Sequence, residues 1–180
     1  MEKRIYRMYG LVPYNISPIQ QAIQYGHGVV EYANDHFNED DYQKWARKDK
    51  TFIILNGGTT NINTERLGSL NAHMETMYKH GLKFAMFYEP DLGDQLTAIV
   101  FLVDDRVWDR ETWPDYQMNT LELDAFKAMK KDATPEEIPG ILESFESYRI
   151  WFNKFSDKYE EAEQIVWLRD FTSPRNFRLA

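Results

Sequence analysis

The chain has 180 residues, a length that suits one domain or one domain with an appendage and is too short for a barrel enzyme. Its 43% hydrophobic and 15% aromatic content supplies a packed core and excludes a disordered chain, and the absence of cysteine removes disulfides, thiolate nucleophiles and thiolate metal sites, in keeping with a reducing compartment. A net charge of -8, from 21 basic and 29 acidic side chains, argues against generic coating of nucleic acid, and the lack of any long apolar run predicts a soluble, cytoplasmic protein without membrane contact.

Residues 5–12 (IYRMYGLV) combine branched and aromatic side chains and predict a strand, which Pro13 stops because it has no N–H for the ladder. Ser17-Pro18 then opens a helix reaching to about Ala33, since the serine hydroxyl can cap free N–H groups and proline is pre-shaped for the first turn. Its apolar positions Ile19, Ala22, Ile23, Gly26, Val29, Val30 and Ala33 recur at helical spacing and predict the stripe that faces a sheet or another helix. Gly26 and Gly28 are poor helix formers and point to close packing or close ligand approach near His27.

A short helix around 41–48, containing Trp45, precedes a buried strand at 51–55 (TFIIL), and Asn56-Gly57-Gly58 marks a sharp turn. Residues 64–80 predict an amphipathic helix with Leu67, Leu70, Met74 and Met77 on one face and Gly81 as its stop. Strands follow at 84–88 and 97–103, joined by the acidic turn Glu89-Pro90-Asp91-Leu92-Gly93-Asp94. This order predicts an α/β fold over residues 1–104, a three-layer sandwich with a small mixed four-stranded sheet.

Residues 105–180 predict an α-helical C-terminal extension, with one helix at 121–131 and another at 141–155 opened by the capping spacing of Thr134-Pro135-Glu136-Glu137. Ile141, Phe145, Tyr148 and Phe152 share a side of the latter. Trp108, Trp113, Tyr116, Phe145, Trp151, Phe152, Phe155 and Trp167 exceed what one face of a sandwich covers, which predicts a homo-oligomer, dimer or tetramer, held partly by residues 105–170.

Candidate chemistry concentrates on the first helix. Gln20, Gln24, His27 and Glu31 form a polar stripe that begins at the helix N-terminus, where free N–H groups and the positive dipole end favour phosphate; the other reading is the wet side of an amphipathic helix. Asn56-Gly57-Gly58-Thr59-Thr60 follows a buried strand, where open α/β sheets place ligand loops, but lacks the lysine of a phosphate-binding loop and reads equally as an ordinary turn. Glu89, Asp91 and Asp94 could serve as acid and base or hold a cation, yet no EF-hand spacing exists and His27, His36, His73 and His80 form no HExxH pattern, so no metal and no cofactor are expected. No serine sits in a GxSxG elbow. Two basic groups, Lys44/Arg47/Lys48/Lys50 and Arg169/Arg175/Arg178, could meet phosphates or pair with carboxylates.

Over roughly residues 5–107 the chain resembles the archaeal and eukaryotic-type peptidyl-tRNA hydrolases, on the pair Gln24-Tyr25-Gly26-His27, on Trp45, Asp49-Lys50 and TFIIL, on Gly81-Leu82 and on the strand TAIVFLV. The resemblance implies an α/β sandwich with a mixed sheet and cleavage of the ester joining peptide to tRNA. The position seven before the histidine, where that family carries its catalytic lysine, is Gln20, and the family's Asp-Ala-Gly-x-Thr-Gln segment is replaced by residues 89–94, with Glu89 nearest the aspartate. The segments VPYNISPIQQAIQYGHGVVEYA and FYEPDLGDQLTAIVFLVDD also resemble bacteriophage proteins that keep this sandwich, some of which sequester the nucleotide signals of host anti-phage defence.

The leading expectation is therefore a non-catalytic binder of a small phosphate-bearing ligand, a cyclic dinucleotide or related cyclic oligonucleotide, acting as a sponge in the host cytoplasm. Its expected ligand residues are Tyr14, Asn15, Ser17, Gln20, Gln21, Gln24, Tyr25, His27, Asn56, Gly57, Gly58, Thr59, Thr60, Tyr88, Glu89 and Thr97, with Tyr14, Tyr25 and Tyr88 stacking on bases. The alternatives are an active peptidyl-tRNA hydrolase using His27, Gln24 and Glu89 on tRNA, and a protein-interaction adaptor working through the extension.

Overall fold

The computed structural model describes residues 4–63, 65–111 and 113–180, and these form two compact units. The first combines the described residues up to Trp108 with Trp167–Ala180; the second is Asp109–Val166.

A single mixed sheet organises the first unit, with strands β1 (Tyr6–Val12), β2 (Thr51–Asn56), β3 (Ala85–Glu89) and β4 (Gln95–Asp104) in the order β2-β1-β4-β3. Strand β1 runs parallel to β2, with Tyr9 opposite Ile53, and antiparallel to β4, with Tyr9 opposite Phe101. Strand β3 lies antiparallel to β4, and a register shift falls between Phe87 and Tyr88. The two inner strands are the most buried ones, as expected of strands covered on both faces.

Pleating divides these residues between two helical layers. Met8, Val12, Ala98 and Val100 face helix α1 (Pro18–His36) and form one core with Tyr25, Tyr32, Tyr42 and Trp45. On the other face Tyr9 stacks on Phe101, and Phe101 meets Phe171, which closes with Phe177 on His73 of helix α3 (Ser69–Lys79). The α/β, three-layer arrangement with a mixed four-stranded sheet is thus the observed one.

The covered face of α1 is not the predicted one. Ile19 is 75% exposed, Ile23 50% and Val30 57%, while Gln24, Tyr25, Gly28 and Tyr32 are buried. The sheet makes room for the Tyr25 ring at Gly10, where a Cβ would lie 2.2 Å from Tyr25 Cδ2, so this large ring takes the place that hydrophobicity alone gives to the branched aliphatics. Tyr25 meets its polar requirement by donating its hydroxyl to the Met8 carbonyl at 2.9 Å, and burial pushes its phenol pKa far up. Gly28 is needed for this approach, since a Cβ there would lie 2.6 Å from Val100 Cγ2.

Other boundaries shift by one to five residues. Helix α2 (Asp40–Lys44) runs into a π-helical turn at Trp45–Asp49, where the Trp45 indole donates to the Thr51 carbonyl at 3.1 Å. Helix α3 begins only at Ser69, so Leu67 stays outside it and 54% exposed; the expected helix start at Thr64 lies outside the described residues. Gly81 adopts φ +62°, the left-handed stop its position predicted.

Short helix α4 (Asp105–Trp108) ends the first stretch of the sandwich. In the second unit follow α5 (Thr120–Lys130), α6 (Ile138–Glu143) and α7 (Glu146–Lys158), the last two separated by extended Phe145 where one helix over 141–155 was expected. Within this unit Trp113, Trp151 and Tyr159 contact the buried Phe155 ring, and Tyr116 and Phe152 contact Tyr148. The aromatic excess therefore has internal partners and does not by itself require another subunit.

Helix α8 (Ala162–Phe171), absent from the sequence reading, carries the chain back, and residues 167–180 belong to the sandwich rather than to the extension. Leu179 bridges to Leu55, the Asn56 N–H donates to the Arg178 carbonyl at 2.9 Å and the Ala180 N–H to the Ile54 carbonyl at 3.0 Å, covering part of the β2 edge. Arg169, 4% exposed, donates from its guanidinium to the Arg106 carbonyl at 3.0 and 2.7 Å. No helix among the described residues is long and apolar enough to cross a membrane.

Candidate functional site

Of the polar stripe of α1, Gln24 and His27 lie against β3, an outer strand of the sheet. Gln24 sits at its centre, 4% exposed, and donates its amide to Glu89 Oε2 at 2.5 Å while its oxygen accepts from the Thr97 hydroxyl at 2.7 Å. Thr97 is fully buried and its hydroxyl also lies 3.3 Å from the Phe87 carbonyl. The second Glu89 oxygen accepts the Asp91 N–H at 3.3 Å and caps the 3-10 turn Pro90–Leu92. The neutral amide of Gln24, one helical turn before His27, thus fixes a half-buried carboxylate at the end of β3.

His27 is exposed and stacks on Phe87 with ring centroids 4.4 Å apart and 17° between planes. The stack covers one face of Phe87 and leaves the exposed His27 ring outermost. Phe87 was missed in the sequence; its signal was the strand alternation that puts it on the face of α1 while Tyr88 points the other way. Tyr88 approaches Met74 and Met86 through its hydroxyl, at 3.6 and 3.7 Å, and so stands apart from the Gln24 cluster.

At the start of α1 the Ser17 hydroxyl accepts the Gln20 N–H at 3.3 Å and Gln20 Oε1 accepts the Ser17 N–H at 2.9 Å. This reciprocal cap holds the Gln20 side chain against the backbone. Gln21 likewise donates to the Ile16 carbonyl at 3.3 Å.

The loop after β2 is brought beside the loop after β1 by Asn15, whose amide donates to the Thr60 carbonyl at 2.6 Å and accepts the Thr60 N–H at 3.0 Å. The remaining amides of that loop also have partners inside the chain: Gly57 N–H on the Val12 carbonyl, Gly58 N–H on Asn56 Oδ1, and Thr59 N–H on Ser69 Oγ at 2.7 Å. The buried Thr60 hydroxyl lies 3.3 Å from Gln95 Oε1, a partner the sequence did not reveal. The loop is therefore a clamp between strands, with its N–H groups turned inward rather than toward a phosphate. Tyr14, 59% exposed, keeps its ring in solvent and its N–H on the Gly58 carbonyl. Tyr25 belongs to the core and offers no stacking face to a ligand.

The structure thus gathers Gln24, His27, Glu89 and Thr97 with Phe87 into one cluster, and Asn15, Asn56, Gly57, Gly58, Thr59 and Thr60 into a separate, internally bonded clamp. Among the described residues no group of three or more His, Asp or Glu side chains is arranged to hold a metal ion. No family model and no curated protein matches the sequence.

Proposed function

We propose that the chain binds a nucleotide without turning it over, stacking a base on the outer face of the His27 ring, which Phe87 backs, and using the Glu89 carboxylate as acceptor for the amino edge of that base. Such stacking contributes about 1 to 3 kcal/mol per base. The observation that carries the non-catalytic part is Gln20: where the resembled hydrolases place a charged lysine, this chain has a neutral amide held in the helix cap. The first turn of α1 contains no acidic residue, so the dipole of its capped N-terminus favours a nearby phosphate. A cyclic oligonucleotide meets both demands, and on the resemblance to phage proteins its sequestration would blunt a host defence signal.

Calorimetry of the full chain against cyclic di- and trinucleotides tests this. At least one is expected to bind with a Kd below about 10 μM, and His27→Ala to weaken it about tenfold or more. Uniformly absent binding overturns the reading. The alternative, a peptidyl-tRNA hydrolase, is favoured by one observation, the bond that ties an acid, Glu89, to Gln24, the residue one turn before His27. It requires peptide release from purified peptidyl-tRNA that disappears in His27→Ala, and intact substrate at high protein concentration removes it.

A further inference from the structure

The turn after β2 holds Asn56-Gly57, the dipeptide from which a side-chain amide is most readily lost. Glycine has no side chain to hinder its backbone nitrogen, which can close a five-membered ring on the amide carbon of the preceding asparagine. The fold imposes both residues. A Cβ at Gly57 would lie 2.7 Å from Leu70 Cδ2 and 2.9 Å from Leu11 Cβ, and both leucines are fully buried, so a larger residue has no room. Asn56 supplies the Oδ1 that accepts the Gly58 N–H at 2.9 Å.

The same contacts hold the reacting groups in place. Asn56 stands opposite Val12 in the parallel ladder of β1 and β2, and the Gly57 N–H donates to the Val12 carbonyl at 2.8 Å. The Asn56 N–H donates to the Arg178 carbonyl at 2.9 Å, and the bond from Oδ1 to Gly58 fixes its side chain as well. Ring closure requires the Gly57 nitrogen to give up its proton and turn toward Asn56 Cγ. It can do neither while that proton is shared with Val12.

We propose that Asn56 is a deamidation site which the folded chain keeps closed and which opens when the β1–β2 end comes apart. In the open chain the Gly57 nitrogen attacks Asn56 Cγ and loses its proton to water; the Cγ–Nδ2 bond breaks and ammonia leaves, giving a cyclic imide. Water then adds to one or other imide carbonyl, leaving aspartate or isoaspartate at position 56. Water is the sole co-reactant. Aspartate keeps the main chain and an oxygen for the Gly58 N–H. Isoaspartate routes the main chain through the former side chain and lengthens it by one methylene, which breaks the register of Gly57 with Val12. The clamp closed by Asn15 and Thr60 starts from this point, so a chain converted to isoaspartate while open does not re-form it. Residue 56 therefore turns prolonged unfolding into permanent loss of the fold.

Peptide mass spectrometry of the full chain at neutral pH, with and without strong urea, follows the exchange of NH2 for OH at Asn56. The folded chain is expected to deamidate at least about a hundredfold more slowly than the unfolded one. In urea below the unfolding midpoint, deamidation at Asn56 and hydrogen exchange at the Gly57 amide should accelerate in the same proportion, because both pass through one opening. When chains aged in urea are returned to buffer, isoaspartate at position 56 should be confined to the fraction that stays unfolded or aggregates. Asn56→Asp, which brings the charge without the longer main chain, should refold. Similar rates in folded and unfolded chains, deamidation that ignores urea while Gly57 exchange responds, isoaspartate in the refolded fraction, or an Asn56→Asp chain that fails to refold overturns the proposal.

Discussion

A buried side-chain amide is stable only where its donor and its acceptor are both met, and Gln24 meets Glu89 with one and Thr97 with the other. The amide is the right group here because it can give to a carboxylate and accept from a hydroxyl at once. Gln24→Glu keeps the shape but brings a second carboxylate against Glu89, and like charges at that distance cannot both stay ionised. We expect Gln24→Glu to lose about 1 to 3 kcal/mol in urea denaturation at neutral pH and to regain part of it on acidification, when the pair shares a proton. A loss that is the same at both pH values would show that Glu89 is not in the network. The Gln24-x-x-His27 spacing was legible in the sequence because both residues lie on one helix. Their partners were not, since Glu89 is 65 positions away and Thr97 is 73 positions away from Gln24, and local periodicity carries no record of such pairs.

Strand identities were read correctly from branched and aromatic runs, but the face of α1 was not, because hydrophobicity alone assigns Ile19, Ile23 and Val30 to the core and cannot weigh them against Tyr25 and Tyr32. The break between α6 and α7 escaped for a related reason: Ile141, Phe145 and Tyr148 keep helical spacing although the backbone at Phe145 is extended. On the opposite layer, α3 is tied to the C-terminal residues by His73, whose ring meets Phe171 at 5.9 Å and Phe177 at 5.0 Å. Burial lowers the His73 pKa below its ordinary 6.5. In the interval between that lowered folded value and 6.5 the unfolded chain holds more protons than the folded one, so stability is complete above 6.5 and declines as pH falls through it. His73→Phe keeps an aromatic ring and removes the titration. Melting curves between about pH 7.5 and 5.5 should fall more steeply for the parent than for this variant, and parallel curves would mean that His73 is not buried in solution.

The two compact units are not consecutive in the chain: Asp109–Val166 is inserted into a sandwich that begins before it and finishes after it. Composition concealed this, because the residues after Asp104 look uniformly charged and helical while the sandwich takes back the segment holding Phe171 and Phe177, which are 8% and 5% exposed. The two ends of the insertion are held together by the sandwich itself, where Arg169 donates to the Arg106 carbonyl. Domain insertions succeed where the flanking ends lie close, and the reverse operation should succeed for the same reason. A chain in which residues 109–166 are replaced by a short Gly/Ser linker is expected to fold and to unfold cooperatively. A chain ending at Asp104 loses Phe171, Phe177 and the covering of the β2 edge together, and burial of a phenylalanine alone is commonly worth about 3 to 5 kcal/mol. The excised chain should therefore give a sharp thermal transition and dispersed amide resonances, and the chain ending at Asp104 should aggregate or melt without one. Equal behaviour of the two would place the boundary of the sandwich at Asp104 after all and leave Trp167–Ala180 without a structural role.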